Sequence, residues 1–216
     1  MPRAQIGYGW NIYNLVFSPG DFNGDGTADL LARDGAGNLW FYAGTGRGFL
    51  ARVQVGHGWQ GFTAVFGPGD FNGDGNADVM ARDGAGNLWL YPGSGTGGWF
   101  SRVQVGHGWQ GFTAVFGPGD FNGDGNADVM ARDGAGNLWL YPGSGTGGWF
   151  SRVQVGHGWQ GFTAVFGPGD FNGDGNADVM VRDGAGNLWL YPGSGTGGWF
   201  SRLQVGHGWQ GFTILF

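Results

Sequence analysis

This chain is built from a sequence unit of about 50 residues that recurs along its length. The segments 51–100, 101–150 and 151–200 differ from one another at only two positions, 51 and 181. The first 50 residues carry a more divergent copy of the same pattern. A fixed period of this length predicts an architecture in which each unit packs against the next. The near-identity of the copies indicates recent amplification or deliberate symmetrisation.

Four short apolar segments, separated by turn-forming residues, make up each unit. In the unit 111–160 they are Phe112–Phe116, Val129–Arg132, Leu138–Tyr141 and Trp149–Val155. The Gly-Pro-Gly after the first segment is expected to end it, and no segment has helical spacing. The third segment is apolar on both faces, which is typical of a strand buried on both sides.

Four short antiparallel strands in every 50 residues are the pattern of a propeller blade. The predicted fold class is therefore all-β, a β-propeller of four-stranded antiparallel blades. A β-sandwich is the alternative, but it would leave the fixed period unexplained. One domain over residues 1–216 accommodates every unit. Drawn from one acidic loop to the next, the units are 1–20 (partial), 21–69, 70–119, 120–169 and 170–216.

The ends of the chain leave the closure of the ring open. Ala4–Ile6 resembles a fourth strand and Phe212–Phe216 resembles a first strand, so the prediction is four complete blades plus terminal strands. A ring of four blades, a ring of five with one half-blade, and strand exchange with another copy are all compatible with this count. Unpaired strand edges recruit partners, which favours a homo-oligomer formed through terminal strand exchange.

The composition predicts a packed core. The 52 Gly are offset by 12 Trp, 18 Phe and 6 Tyr, so disorder is not expected. The absence of Cys excludes disulfides and Cys-based zinc sites. No stretch is long and apolar enough to span a membrane. No signal-peptide segment follows Met1, so for a secreted protein the signal has been removed or lies outside this sequence.

The acidic residues are concentrated in one motif. All 16 are Asp, the formal net charge is −6, and 12 of them lie in four copies of a nonapeptide beginning at residues 21, 70, 120 and 170. Three carboxylates in each nine-residue loop are too concentrated for an ordinary solvated surface. The 10 Arg are dispersed and form no basic patch, so nucleic-acid binding is not expected.

The nonapeptide Asp-Phe-Asn-Gly-Asp-Gly-Asn-Ala-Asp has the oxygen spacing of a cation-binding loop. Positions 1, 3, 5 and 9 offer side-chain oxygens, and position 7 offers its backbone carbonyl. All-oxygen ligation favours Ca²⁺ over zinc or copper, and five or more ligands from a flexible loop favour Ca²⁺ over Mg²⁺. About four Ca²⁺ ions per chain are predicted, with a structural role. The predicted ligands are Asp21, Asn23, Asp25, Thr27, Asp29, Asp70, Asn72, Asp74, Asn76, Asp78, Asp120, Asn122, Asp124, Asn126, Asp128, Asp170, Asn172, Asp174, Asn176 and Asp178.

The loop differs from an EF-hand. Position 12, where an EF-hand needs a chelating Glu, is Ala131 in the third copy, and the flanking segments are strands. Asp128 at position 9 is expected to close the cage instead, while Gly125 at position 6 permits the sharp turn. The alternative is that the four loops are Asp-Gly turns without a metal.

Three further motifs recur and suggest a ligand site: Gly-His-Gly-Trp-Gln, Arg-Asp-Gly and Trp-Phe. Sugar recognition combines an aromatic face with fixed polar groups, and repetition of a weak site gives avidity. Alternatively, the Trp of the first motif packs between blades, the Arg-Asp pair braces a turn, and the His is polar surface. The first unit has Tyr8 instead of His. The candidate residues are His57, Trp59, Arg82, Asp83, His107, Trp109, Arg132, Asp133, His157, Trp159, Arg182, Asp183, His207 and Trp209, with Trp99, Trp149 and Trp199 from the Trp-Phe pairs.

These residues carry a resemblance to a known family. The segment from Phe112 to Met130, which contains the acidic loop, resembles the FG-GAP, or VCBS, repeat and the calcium-binding blades of integrin α subunits. Gly-Asn-Leu-Trp-Leu-Tyr and Gly-Trp-Asn-Ile-Tyr-Asn (residues 9–14) are similar to repeats appended to secreted actinobacterial proteins. This likeness implies a secreted, extracellular location. The resemblance covers nearly the whole chain and implies a β-propeller with calcium in the acidic loops. It also implies a possible lectin, since propeller lectins among the relatives bind N-acetylglucosamine-type sugars between blades.

The function predicted from these features is a calcium-stabilised, non-enzymatic, multivalent carbohydrate-binding propeller, with glycans as partners. An enzyme is not expected, because no Glu is present for acid–base chemistry and Ser94 and Ser101 lie in ordinary turn or strand contexts. The alternative is a structural or protein-interaction scaffold, which the near-identical copies favour.

Overall fold

The described part of the chain forms sixteen β-strands in four antiparallel sheets. The structure is a computed structural model that describes residue 5 and residues 7–216. Each sheet takes four consecutive strands in chain order and forms one blade, so the predicted all-β propeller of four-stranded blades with a repeat of about 50 residues is confirmed. The blades are blade 1 with β1 (Tyr13–Gly20), β2 (Asp29–Asp34), β3 (Leu39–Tyr42) and β4 (Val53–Gly56); blade 2 with β5 (Phe62–Gly69), β6 (Asp78–Asp83), β7 (Leu88–Tyr91) and β8 (Val103–Gly106); blade 3 with β9 (Phe112–Gly119), β10 (Asp128–Asp133), β11 (Leu138–Tyr141) and β12 (Val153–Gly156); and blade 4 with β13 (Phe162–Gly169), β14 (Asp178–Asp183), β15 (Leu188–Tyr191) and β16 (Leu203–Gly206).

The first strands of the blades lie side by side and form the inner layer. β1 contacts β5, β5 contacts β9, and β9 contacts β13. A three-residue 3-10 turn leads from the outer strand of one blade to the inner strand of the next, and each turn begins at a tryptophan. These turns are Trp10–Ile12, Trp59–Gly61, Trp109–Gly111 and Trp159–Gly161.

The inner strands are longer than predicted. β9 continues through the Gly-Pro-Gly sequence to Gly119, because Gly119 pairs with Asp128. A bulge separates this pair from the next one, Met130 with Phe116. The bulge accommodates Pro118, which has no N–H to donate to a regular ladder.

The outer strands are shorter than predicted. β12 begins at Val153, whereas the sequence pattern predicts a strand from Trp149. Trp149 instead forms an isolated bridge with Gly143, and the Phe150 N–H donates to the Pro142 carbonyl at 2.9 Å. These contacts close a separate turn, so the residues between this turn and Val153 leave the ladder.

The predicted terminal strands have different outcomes. The one at Ala4–Ile6 cannot be assessed as a strand, because only Gln5 of its three residues is among the described residues. The one at Phe212–Phe216 is wrong, since this segment has no strand conformation. A first strand in this fold pairs with the second strand of its own blade, and Phe212–Phe216 has no such neighbour in the described structure.

The hydrophobic core lies mainly between adjacent blades. Between blades 2 and 3, Phe71 and Leu90 of blade 2 pack with Val115 and Val129 of blade 3. The third strand is buried as predicted from its apolar sequence, with Leu138 fully buried and its neighbours in the strand at least half-buried. Because blades 1 to 3 each bury one face against the next blade, stability depends on the junctions between blades as well as on the sheets.

Three junctions join consecutive blades. At each of them a phenylalanine from the acidic loop of the earlier blade packs against the later blade. Phe121, at position 2 of its loop, is fully buried, and its ring centroid lies 4.5 Å from that of Trp199 in blade 4. Its carbonyl oxygen accepts a hydrogen bond from the Gly197 N–H at 3.2 Å. Phe22 and Phe71 make equivalent contacts with the blades that follow them.

Blade 4 presents the same face without a complete following blade. Its loop phenylalanine, Phe171, is 54% exposed, and its inner strand is less buried than those of the other blades. The C-terminal segment, residues 207–216, lies between blade 4 and blade 1. In this segment Leu215 packs against the buried cluster of blade 4 that contains Met180, and Ile214 packs against the buried cluster of blade 1 that contains Tyr13. In the described part of the chain, no helix has the length and apolar character needed to cross a membrane.

Candidate functional site

The acidic loops connect the first and second strands of each blade. In the second loop the Asp70 carboxylate accepts backbone hydrogen bonds from Gly73 (2.8 Å) and Asp74 (3.1 Å). Asn72 Oδ1 accepts the Asp74 N–H at 2.8 Å, and the Asp74 carboxylate accepts the side-chain amides of Asn72 and Asn76, both at 2.9 Å. These bonds bring positions 1, 3, 5 and 7 together on an exposed loop.

Position 9 of the loop points into the protein. Asp78 is fully buried, and its carboxylate accepts the N–H groups of Phe71 (2.9 Å), Asn72 (3.2 Å) and Gly93 (2.8 Å). Burial raises the pKa of Asp78 to about 6, against the lowering effect of these three donors. Gly93 lies in the loop between the third and fourth strands. Asp78 therefore connects the acidic loop to this second loop of the same blade. The equivalent residues Asp29, Asp128 and Asp178 are buried in the same way.

The structure therefore separates the predicted calcium ligands into two groups: positions 1, 3, 5 and 7 on the loop, and the buried position 9. Among residues 5 and 7–216, no group of three or more His, Cys, Asp or Glu side chains is arranged to hold a metal ion. The side-chain oxygens of Asp70, Asn72 and Asp74 nevertheless lie together, and they are hard donors of the kind that Ca²⁺ takes. The oxygens at positions 1, 3 and 5 therefore fit Ca²⁺ in their donor chemistry. The Asp78 carboxylate at position 9 is buried and already accepts three backbone N–H groups. The third and fourth loops have the same hydrogen bonds. In the first loop Thr27 stands at position 7 and donates its backbone N–H to Asp25.

The Arg-Asp pair forms structural hydrogen bonds, as in the alternative reading of this motif. Nη1 of Arg132 donates to the carbonyl oxygens of Trp159 (3.0 Å) and Phe162 (2.8 Å), which belong to the next unit. The Asp133 carboxylate accepts the indole N–H of Trp139 at 3.0 Å and closes the turn between the second and third strands. The same contacts recur at Arg82 and Asp83 and at Arg182 and Asp183.

The turn carboxylates are expected to make stability sensitive to acid. Hydrogen bonds from Trp89 Nε1 and the Asn87 amide lower the pKa of Asp83 to about 2, whereas an unfolded-chain Asp has a pKa of about 3.9. The folded-state value is the lower one, so the stabilisation is present above about pH 4 and is lost as the pH falls towards 2. In Asp83→Asn, the free energy of unfolding should decline less between pH 5 and pH 2 than in the parent. Urea titrations across this range measure it, and an unchanged decline would contradict the assignment.

The tryptophan of the Gly-His-Gly-Trp-Gln motif packs between blades. Trp109 is only 5% exposed, and its ring centroid lies 4.4 Å from Tyr141 and 5.6 Å from Trp149. Trp59 and Trp159 are buried in the same way, whereas Trp209 is half-buried. The histidines of the motif, His57, His107, His157 and His207, are all exposed.

A cavity of about 290 Å³ lies where the outer strand of blade 2 meets blade 3. Its aromatic surface comes from Trp149, Phe150 and Tyr141, and its polar groups are His107 and Arg152. The sequence motifs indicate His107, Trp149 and Phe150 but give no signal for Tyr141 or Arg152, because the roles of these two residues depend on how two units meet. Trp109 lines the cavity from its buried position, whereas Arg132 and Asp133 do not line it.

Hydrogen bonds fix the groups around this cavity. The indole N–H of Trp149 donates to the Val105 carbonyl at 2.6 Å, which holds the ring across the junction. Nη1 of Arg152 donates to the Tyr141 hydroxyl at 3.0 Å, and its guanidinium carbon lies 4.3 Å from the ring centroid of Trp139. The cavity is therefore a preformed aromatic pocket with a histidine and an arginine at its rim.

The first unit forms the same kind of cavity with different residues. It is lined by Tyr8, Trp10, Tyr42, Phe49 and Leu50, which stand at the positions of His107, Trp109, Tyr141, Trp149 and Phe150. The pocket is thus a repeated feature of the fold, and its chemistry in unit 1 differs from that in the later units.

The fold and these inter-blade pockets define a repeat propeller with acidic loops between its first and second strands. The chain belongs to the FG-GAP-like repeat family, whose model matches residues 21–81, 70–131 and 120–181. Comparison with curated protein sequences finds no significant match.

Solved structures with the same fold include two lectins. A lectin from Agrocybe aegerita, whose structure concerns recognition of non-reducing terminal N-acetylglucosamine, is 22% identical with a TM-score of 0.58, over 88% of this chain and 51% of that chain. The BP39L lectin from Burkholderia pseudomallei is 19% identical with a TM-score of 0.56, over 88% of this chain and 55% of that chain. The chain thus spans about half the length of either lectin.

Proposed function

We propose that this protein is a non-enzymatic, multivalent carbohydrate-binding propeller. The observation that carries the proposal is the inter-blade pocket, in which Trp149 and Phe150 offer aromatic surface while His107 and Arg152 offer hydrogen bonds. Small-molecule sites combine mostly apolar walls with a few fixed polar groups, which is the composition of this pocket. The two lectin propellers of the same fold add support for a glycan as the ligand class.

Several copies of the pocket would act together. The sequence around His107 recurs around His57 and His157, and each of these is followed by a blade that supplies the Tyr, Trp and Arg. One glycan-bearing surface could therefore engage more than one site of a single molecule. Linked weak sites gain about 10²–10⁴ in overall affinity when the geometry allows simultaneous binding.

Removal of the pocket histidines tests the proposal. The triple variant His57→Ala, His107→Ala and His157→Ala is expected to lose at least tenfold in binding to N-acetylglucosamine-terminated glycans on an array, because each pocket loses a rim donor. The histidines are exposed, so folding should be unaffected. His207→Ala is the matched control, since no complete blade follows His207 to supply the rest of a pocket. Parent protein that binds no glycan, or a triple variant that binds as well as the control, would argue against the proposal.

The acidic loops have a separate role in this proposal. We infer that each loop binds one Ca²⁺ through the oxygens at positions 1, 3, 5 and 7, which supports the connection between first and second strands. All-oxygen donor chemistry and the convergence of Asp120, Asn122 and Asp124 support this inference. Extracellular modules bind Ca²⁺ at about 10⁻⁴–10⁻³ M, so a secreted location suits such loops.

Two further proposals concern assembly and an alternative role. Self-association through the terminal segments is supported by the exposed Phe171 and by a C-terminal segment that is not part of any strand.

A protein-interaction scaffold is the second candidate function, and the row of Phe100, Phe150 and Phe200, each about 60% exposed beside an outer strand, favours it. Absence of glycan binding together with retained folding would leave the scaffold as the better explanation.

A further inference from the structure

The three complete junctions have a common construction. A loop phenylalanine of one blade enters a socket in the next blade that is made by an alanine, glycines and a tryptophan. For Phe71 the socket includes Ala127, Gly143 and Trp149, and the Gly147 N–H donates to the Phe71 carbonyl at 3.1 Å. Because this interface occurs three times, the three copies show which residues a blade needs in order to pack against its neighbour.

Blade 4 carries the phenylalanine half of a fourth junction. Phe171 has the same nonapeptide around it as Phe121, yet it is 54% exposed where Phe121 is fully buried. A Cβ atom built on Gly119 would lie 3.5 Å from the Ala177 Cβ, whereas one built on Gly169 would meet nothing within 4 Å. The face that blade 3 buries against its successor is therefore open on blade 4.

Blade 1 carries the socket half. A cavity of about 350 Å³ is lined by Thr27, Ala28, Gly46, Arg47, Gly48 and Phe49. Of these residues, Ala28 and Phe49 stand at the positions of Ala127 and Trp149, and the segment between them is one residue shorter than in blades 2 to 4. Ala28 is exposed, whereas its counterpart Ala177 is buried by blade 3. Among the described residues, none provides a socket for Phe171 of blade 4, and no loop phenylalanine fills the cavity of blade 1.

The C-terminal segment occupies the position of an inner strand between these two faces. The Trp209 N–H donates to the Gly186 carbonyl at 2.9 Å, and Arg182 donates to the Trp209 carbonyl at 3.0 Å. The same two bonds position the 3-10 turns that begin at Trp59, Trp109 and Trp159, each on the blade before it. With Leu215 on blade 4 and Ile214 on blade 1, the segment stands where the first strand of a fifth blade would stand.

The remaining space at this position is apolar and open. A cavity of about 440 Å³ lies between the C-terminal segment and blade 1, with Trp10, Val16, Leu30, Phe212, Ile214 and Phe216 among its walls. A matching occupant needs a phenylalanine for the blade 1 socket, a socket of its own for Phe171, and backbone groups to pair with the C-terminal segment. The loop and two middle strands of the repeat itself, as in residues 120–149, meet all three requirements.

We propose that the gap between blade 4 and blade 1 is a docking site for one β-hairpin with the repeat's own sequence, donated by a second polypeptide. Docking would be a form of β-strand addition, in which main-chain pairing provides affinity and the phenylalanine and socket provide specificity. Continuity with three existing interfaces of the same composition identifies the occupant. The proposal is independent of carbohydrate binding, because the gap contains no member of the complete His-Trp-Arg pockets.

A synthetic peptide with the sequence of residues 120–150 tests the proposal. Native mass spectrometry of the full chain with this peptide should show a 1:1 complex, and thermal melting should move to higher temperature. A peptide carrying Phe121→Ser should bind at least tenfold more weakly, because it cannot fill the blade 1 socket. A chain carrying Phe171→Ser should also bind the parent peptide at least tenfold more weakly.

The controls separate docking from general apolar adhesion. Phe200→Ser is the matched chain variant, since Phe200 is 58% exposed in the same blade but lies outside the gap, and it should leave peptide affinity unchanged. The proposal is overturned by absence of a complex, by equal binding of both peptides, or by equal loss of affinity with Phe200→Ser. A homo-oligomer of the chain that the peptide does not dissociate would overturn it as well and would favour self-association through the terminal segments, because both proposals use the same gap.

Discussion

Replacement of Phe121 by alanine is expected to lower the free energy of unfolding by about 3–5 kcal/mol, the range for truncating a fully buried aromatic side chain. The ring of Phe121 is enclosed by Trp199 and the loop glycines of blade 4, so its loss leaves a cavity inside a junction. Urea unfolding followed by tryptophan fluorescence measures the change, because the contacting indole reports on the same junction.

The same substitution at Phe171 provides a control within the same sequence context. Phe171→Ala should change the free energy of unfolding of the monomer by less than about 0.5 kcal/mol, as for an ordinary surface substitution. The two residues occupy identical nonapeptides, so local conformational preferences cancel in the comparison. Equal costs at the two positions would mean that Phe171 is buried in solution, and the description of blade 4 as open would then be incorrect.

Calcium is expected to produce the other large effect. With a dissociation constant of about 10⁻⁴ M, 1 mM Ca²⁺ stabilises the folded state by about 1.4 kcal/mol per loop, or roughly 5–6 kcal/mol for four loops. For a chain of this size that corresponds to a rise of roughly 10–20 °C in melting temperature relative to EDTA. Differential scanning calorimetry in Ca²⁺, Mg²⁺ and EDTA measures the shift and its selectivity.

A single-loop variant distinguishes specific binding from a general salt effect. Asp124→Ala removes one predicted ligand from the third loop and should abolish about a quarter of the calcium-dependent shift. Its melting temperature in EDTA should fall much less, because Asp124 is exposed and bonded only within its own loop. Identical melting of the parent in Ca²⁺ and EDTA would refute calcium stabilisation, and an equal shift with Mg²⁺ would refute the choice of metal.

The sequence predicts the blades because their determinants are local and repeated. Turn residues separate the apolar segments, and the fixed period specifies that each unit packs on the next one. The third strand, Leu138–Tyr141, is predicted to the residue. The limits of the first and fourth strands depend instead on the bulge beside Asp128 and on the turn that contains Trp149, and neither has a clear local signal.

The candidate sites are less predictable, because their geometry arises between units. The nonapeptide gives the same weight to Asp78 as to Asp70, but only the fold shows that Asp78 is buried beneath the N–H groups of two loops. The pocket around His107 requires Tyr141 and Arg152, more than 30 residues further along the chain. Identical sequence also cannot distinguish Phe121 from Phe171, since the difference lies in which blade follows.

The hydrogen bonds between blades have a consequence for how such a chain can change over generations. In the next unit Arg132 donates to two main-chain carbonyls, those of Trp159 and Phe162, and the backbone N–H of Trp159 donates to the Gly136 carbonyl. Arg33 of the divergent first unit makes the same two carbonyl contacts with its successor. The acceptors of these bonds are main-chain carbonyls, which every residue has. Units whose sequences have diverged can therefore still form them. Duplication or loss of a whole unit would therefore preserve the coupling at the new boundary, which gives a gene of this kind freedom to vary in copy number.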